Sequence, residues 1–111
     1  MVEELKIYKD VSELVKRVFI IIKNFPRDYK FTLGTKIQNV ALDCVDLIYR
    51  SSRHKEKANY LDELVANLDF LSFLMRTAKD LNILTERQFA IFIELRQPCV
   101  KQASGWLKAT K

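Results

Sequence analysis

Residues 30–50, KFTLGTKIQNVALDCVDLIYR, decide the fold class. Leu33, Ile37, Val40, Ala41, Cys44 and Ile48 recur at three- and four-residue steps, the spacing that lines side chains along one side of a helix. Lys36, Asn39, Asp43, Asp46 and Arg50 gather on the other side, so the segment reads as an amphipathic helix with one face toward a core. Thr32 is placed to cap a helix over 32–51. Gly34 then falls in its first turn, where the usual reason for a glycine is a close approach by another backbone.

The same period continues on both sides of this segment. Toward the N-terminus, Tyr8, Val11, Val15, Val18 and Ile22 share one arc of a helix over about 3–24. Phe25-Pro26-Arg27-Asp28 breaks it, because proline lacks an amide proton and restricts the residue before it. Toward the C-terminus, residues 51–57 read as a polar connection or as the solvated start of the next helix. Leu61, Leu64, Leu68, Leu71, Met75 and Ala78 then trace a stripe over about 59–81, with Asn82 as its stop. Thr85-Glu86-Arg87-Gln88 has the form of a capping box and starts a last helix over about 86–108. Its inward side carries Phe89, Phe92, Ile93, Cys99, Val100, Ala103 and Leu107.

Helices of roughly 20 residues span about 30 Å each, and short connections make antiparallel neighbours. The expected fold is all-α, an up-down-up-down antiparallel four-helix bundle formed by a single domain over 1–111. A chain of 111 residues has room for one such core and no second domain. With 49% hydrophobic and 30% charged residues it is not a disordered chain, and only two Gly and two Pro leave few turns.

Some features exceed what a lone bundle needs. Ala66, Phe70, Phe73, Leu74 and Thr77 form a second apolar patch on the third helix, and Ile20, Leu42 and Tyr49 lie outside their own core arcs. Such surplus predicts self-association, with Phe70, Phe73, Leu74 and Tyr49 at the interface; the alternative is a bundle with wide buried faces. Arg96 falls near an apolar arc, where a charge must be paired, and reads as part of an interface ion pair. Pro98 removes the hydrogen bond to the Glu94 carbonyl, so the last helix either kinks or divides into two.

Chemistry-bearing constellations are sparse. The single histidine, His54, lies in a basic connection, and Cys44 and Cys99 fall on different helices without a ligand pair. There is no Glu-x-x-His pair and no glycine-rich phosphate loop. Ser51 and Ser52 adjoin His54 without an orienting acid, so no nucleophile and base are assembled. Asp43 and Asp46, one turn apart, read as solvated or paired with Arg50 or Lys36. The expectation is no catalytic residue, no metal and no cofactor. Two cysteines at apolar positions, and no secretory leader, favour a reducing cytoplasm; the longest apolar run, 18–22, is too short to cross a membrane.

The basic residues are better organised. Net charge is +5, a weak vote for an anionic partner. Lys9, Lys16 and Lys23 recur every seven positions opposite the first core arc, flanked by Lys6 and Arg17; Arg27 and Lys30 extend the charge. Arg50, Arg53, Lys55 and Lys57 make a second cluster with His54. Cations on rigid helices can follow phosphates, so Lys9, Lys16, Arg17, Lys23, Arg27, Arg50, Arg53 and Lys57 are the candidate contacts to nucleic acid or a polymerase. The competing reading is a lysine-rich solvated surface diluted by Glu3, Glu4, Asp10, Glu13 and Glu56. No helix-turn-helix, zinc finger or stacking module is present, so contacts would be to backbone and shape.

Phe25-Pro26, Lys30-Phe31-Thr32-Leu33-Gly34, Ile37-Gln38-Asn39 and Ala41-Leu42-Asp43 follow one another in a characteristic order. They are joined by Tyr60-Leu61, by Leu74, Arg76, Ala78 and Asp80 within 68–81, by Ile83-Leu84-Thr85 and by Gly105-Trp106-Leu107. In this the chain resembles the four-helix-bundle family of accessory variability determinant proteins of diversity-generating retroelements and 23S ribosomal RNA intervening-sequence proteins. Leu33-Gly34, the run 37–43 and the basic character are more similar to the retroelement branch. That resemblance implies a protomer of a ring-like homopentamer that associates with the element's reverse transcriptase. The homopentamer would handle RNA and DNA in mutagenic retrohoming without being a polymerase. It also implies that Gly34 permits close helix approach and that Gly105 and Trp106 close the end of the bundle. The other branch implies a structural or unknown role with no reverse-transcriptase partner.

Overall fold

Leu61, Leu64, Leu68, Leu71, Met75 and Ala78 are all fully buried, so the stripe read from the third helix is the spine of the core. The computed structural model describes residues 1–110. Four long helices dominate: α1 (Lys6–Ile22), α2 (Thr35–Arg53), α3 (Lys57–Asp80) and α4 (Glu86–Ala109). Each packs mainly on two others, α1 on α2 and α4, and α3 on α2 and α4, which closes a square antiparallel bundle of 42 × 22 × 22 Å. A 3₁₀ turn, Val2–Glu4, precedes α1.

The α1 stripe is centred slightly differently from the arc expected. Ile7, Val11, Leu14, Val18, Ile21 and Ile22 are buried, while Tyr8 and Val15 pack at its margin. Tyr8 meets the ring of Tyr49 edge-on at 5.7 Å, which places it at the boundary with α2. Burying the aliphatic residues and leaving the phenols at the edge keeps each hydroxyl within reach of a partner.

The second helix begins earlier than Thr32. Helical backbone resumes after Pro26 in one turn, Arg27–Tyr29, passes through a π-helical stretch, Lys30–Gly34, and runs directly into α2. Pro26 leads in with extended backbone, and its carbonyl accepts from the amides of Tyr29 and Lys30 at 3.0 and 2.9 Å. Thr32 is therefore not a cap. Its hydroxyl donates back to the carbonyls of Asp28 at 3.2 Å and Tyr29 at 3.4 Å, the bonding of a threonine inside a helix. Gly34 sits at the end of the π stretch under α1. A Cβ there would lie 3.1 Å from Cγ2 of Ile22, a tight contact in which the neighbour is a side chain and not backbone.

The other connections follow their sequence signals. Asn82, the only non-glycine residue with positive φ (60°) among the described residues, terminates α3. The amide of Ile83 donates to the Ala78 carbonyl at 2.8 Å and that of Asn82 to Lys79 at 2.9 Å, the paired bonds of a Schellman motif. Leu84 is buried beneath it. Three residues after Asn82 the capping box is complete: the Gln88 amide donates to the Thr85 hydroxyl at 3.0 Å, and the Thr85 amide to Gln88 Oε1 at 2.8 Å.

α4 runs through Pro98 as one helix and does not divide. Glu94 is exposed, so water can serve the carbonyl that the proline ring leaves without a donor. Gln102 Nε2 donates to the Pro98 carbonyl at 2.9 Å and to Asp10 at 2.7 Å, tying this part of α4 to α1.

Candidate nucleic-acid interface

On α1 the amphipathic pattern puts every candidate cation outside. Lys9, Lys16, Arg17 and Lys23 are exposed, as is Arg27 beyond the turn. The three lysines stand two helical turns apart, about 10 Å along the axis. Lys16 lies 3.5 Å from Glu13, and Lys6 is held by Asp10 at 2.7 Å. That Lys6 hydrogen bond, with one from Gln102, holds the Asp10 carboxyl below its usual range against a desolvation penalty that pushes the other way. Lys9, Arg17, Lys23 and Arg27 have no carboxylate partner among the described residues.

The second cluster divides by function. Arg50 pairs with Asp46 at 2.9 Å, and the hydrogen bond to that carboxylate raises its pKa. Arg53 is exposed and unpaired among the described residues. Lys57 is half-buried; its ammonium donates to the Ser51 carbonyl at 3.0 Å, closing the end of α2, and stands 5.9 Å from the centroid of the Trp106 ring. It acts chiefly as a structural clasp. Asp46, Tyr49, Arg50, Arg53 and His54 line an open hollow of about 370 Å³.

The antiparallel pairing regroups these charges. Because Tyr8 meets Tyr49, Lys9 and Arg50 belong to the same end of the bundle, whereas Lys23 and Arg27 mark the other. The cations thus run from end to end of the α1 face, and Arg50 and Arg53 join them at the Lys9 end.

The proposed contact residues for self-association separate in the same way. Phe70 and Phe73 are 41% and 61% exposed, and their rings stack 6.2 Å apart within 9° of parallel. Phe31 at 72%, Ile20 at 56% and Leu42 at 49% add to the apolar surface. Leu74 corrects the expectation: at 7% exposure it belongs to the protomer's core, because it turns inward with the buried stripe of α3 and not to its outer side. Tyr49 is half-buried and its hydroxyl donates to Glu3 at 2.9 Å, an internal tie that raises its pKa through its bonds to Tyr8 and Glu3. Arg96 is also internal. Its Nε donates to the Leu68 carbonyl at 2.8 Å and its Nη2 reaches Asp69 at 2.6 Å, so the ion pair joins α4 to α3 within one protomer.

Trp106 packs against the core at the bundle's end, as the resemblance implies, whereas Gly105 is exposed and a Cβ there would meet nothing within 4 Å. Cys44 and Cys99 are free and buried, and burial pushes both thiols up to about 12. Among the described residues no group of three His, Cys, Asp or Glu could hold a metal ion, and no helix is long and apolar enough to cross a membrane. One cationic group had no periodic signal in the sequence. Arg76 and Lys79 of α3 both lie over the Phe89 ring of α4, a pairing across helices that only packing creates.

A family model described as bAvd-like matches residues 3–110. No curated protein matches the chain.

Proposed function

The chain belongs to the bAvd-like family, and from that premise we propose that it is the non-enzymatic accessory protein of a diversity-generating retroelement. In this reading it binds the element's reverse transcriptase and its template RNA, or the DNA copied from it, through basic surfaces, in support of mutagenic retrohoming. The observation that carries the reading is the row of exposed cations without carboxylate partners, Lys9, Arg17, Lys23, Arg27 and Arg53, on rigid helices. Such charges release counterions when they meet phosphate, which gives sequence-independent affinity.

Self-association belongs to the same reading. Phe70, Phe73, Phe31, Ile20 and Leu42 leave more apolar surface exposed than a 13.1 kDa monomer has reason to display. A homopentamer would cover part of it and repeat the basic face around a ring, strengthening the field at each phosphate. Two free buried thiols fit a reducing compartment, the cytoplasm.

The test is a titration of fluorescent template-repeat-type RNA with the purified protein at two salt concentrations. A duplex DNA control and the triple variant Lys9→Glu, Lys16→Glu, Lys23→Glu are run beside it. Binding that weakens with salt and is lost in the variant is the expected result. No binding to RNA at low salt defeats direct recognition and leaves the reverse transcriptase, assayed by co-purification, as the contact.

A further inference from the structure

Arg76 and Lys79 converge on one aromatic ring from the neighbouring helix. The guanidinium carbon of Arg76 and the ammonium of Lys79 each stand 5.1 Å from the centroid of Phe89. Three residues apart, the two cations project from adjacent turns of one face of α3. Phe89 sits half-buried in the first turn of α4, at a position fixed by the capping box immediately before it.

The ring's quadrupole attracts each cation. Bringing two like charges to the same ring also sets them against each other, and the surroundings relieve this poorly. Arg76 has no carboxylate partner among the described residues, and Lys79 touches Asp80 only at 3.9 Å. Farther along the seam Asp69 is already taken by Arg96 at 2.6 Å. Glu86 lines, with Lys79 and Asp80, a hollow of about 440 Å³ beside the α3–α4 turn, so acid is present beyond Lys79 but not at Arg76. Aliphatic stems shielding an apolar ring would explain the hydrocarbon contact alone. That explanation does not account for two charged heads each standing 5.1 Å from the centre of one ring.

We infer that Arg76 and Lys79, held by Phe89 on the α3–α4 seam, form a phosphate-binding site. Arg76 supplies a planar fork of N–H donors and Lys79 a point charge, a pairing suited to one oxyanion group. The natural ligand, a backbone phosphate of single-stranded RNA, rests on the proposed function; the anion site itself does not. Its two cations can be varied apart from those of α1, since Arg76 and Lys79 both stand on α3.

Two measurements test it. Inorganic phosphate is titrated into the full chain while the Arg76 Nε–H and Phe89 ring signals are followed by NMR, against sodium chloride at matched ionic strength. Saturable phosphate-specific shifts there, absent from the Arg76→Gln, Lys79→Gln double variant, are expected; shifts that chloride reproduces, or none, overturn the site. In parallel, single-stranded RNA is titrated against both proteins. The double variant should bind about tenfold more weakly, with a salt slope shallower by about 0.7, the value for one phosphate contact on a single strand. Unchanged RNA affinity in the double variant, with binding lost in the α1 triple variant, overturns RNA phosphate as the ligand of this site while leaving RNA binding by the protein intact. Phosphate shifts without any RNA binding by the wild-type protein would uphold the anion site and defeat the nucleic-acid reading.

Discussion

The two sides of α3 carry similar residues in opposite circumstances. On the inner side Leu61, Leu64, Leu68 and Leu71 have no exposed surface. On the outer side Phe70 and Phe73 stack on one another, with the Lys36 ammonium 5.8 Å from the centroid of the Phe70 ring. Leu74 stands between the two sides and falls inward at 7% exposure. Hydrophobicity is therefore no guide to role along this helix. Angular position decides it, and a shift of one residue is enough to move a side chain from surface to core.

The largest expected effect tests the inner side. Leu68→Ala should destabilise the protomer by about 2–5 kcal/mol, because it deletes buried methyl groups and leaves a cavity. Urea unfolding followed by circular dichroism measures it, and a loss below about 1 kcal/mol would mean that the stripe is not the spine of the core. A smaller effect is expected where α1 crosses the start of α2. Gly34→Val should cost about 1–3 kcal/mol through overpacking, since even a Cβ would lie 3.1 Å from Cγ2 of Ile22. Adding Ile22→Leu, which removes that methyl branch, should recover part of the loss, and the same unfolding assay decides it. The smallest effect on protomer stability belongs to the outer side. Phe73→Ala should change it by less than about 0.5 kcal/mol while lowering the mass seen by light scattering, which for the proposed pentamer is five times 13.1 kDa. If Phe73→Ala instead destabilises the chain as Leu68→Ala does, with the mass unchanged, the outer patch belongs to the protomer and not to an interface.

Much of the fold was legible because its signals are local. The α3 stripe, the Asn82 stop and the Thr85-x-x-Gln88 box each depend on residues within a few turns of one another, so periodicity and capping chemistry suffice to find them. The start of the second helix was not legible, because Thr32 before an apolar run looks like a cap whether or not helical backbone already precedes it. The π stretch inserts an extra residue into the turn there, and a search for a 3.6-residue period does not register it. The polar partners of Arg96 and Tyr49 were not legible for another reason. Each seeks a polar partner, and a sequence does not say whether that partner is in the same protomer; here Asp69 and Glu3 supply it from 27 and 46 positions away.

The candidate interface divides along the same line. The exposure of Lys9, Lys16, Arg17 and Lys23 follows from the α1 pattern, since a residue opposite an apolar arc faces solvent in any bundle. Whether such a cation is free, paired or used as a clasp depends on what another helix brings to it, as Lys57 at the Ser51 carbonyl and Lys6 at Asp10 show. By itself the sequence determined four amphipathic helices, their order and most of their ends, because these rest on interactions between near neighbours along the chain. Only the tertiary structure decided which surplus side chains remain outside, which charges are already compensated and that Arg76 and Lys79 meet over Phe89. Those outcomes depend on distances between segments remote in sequence, which packing sets and no local pattern encodes.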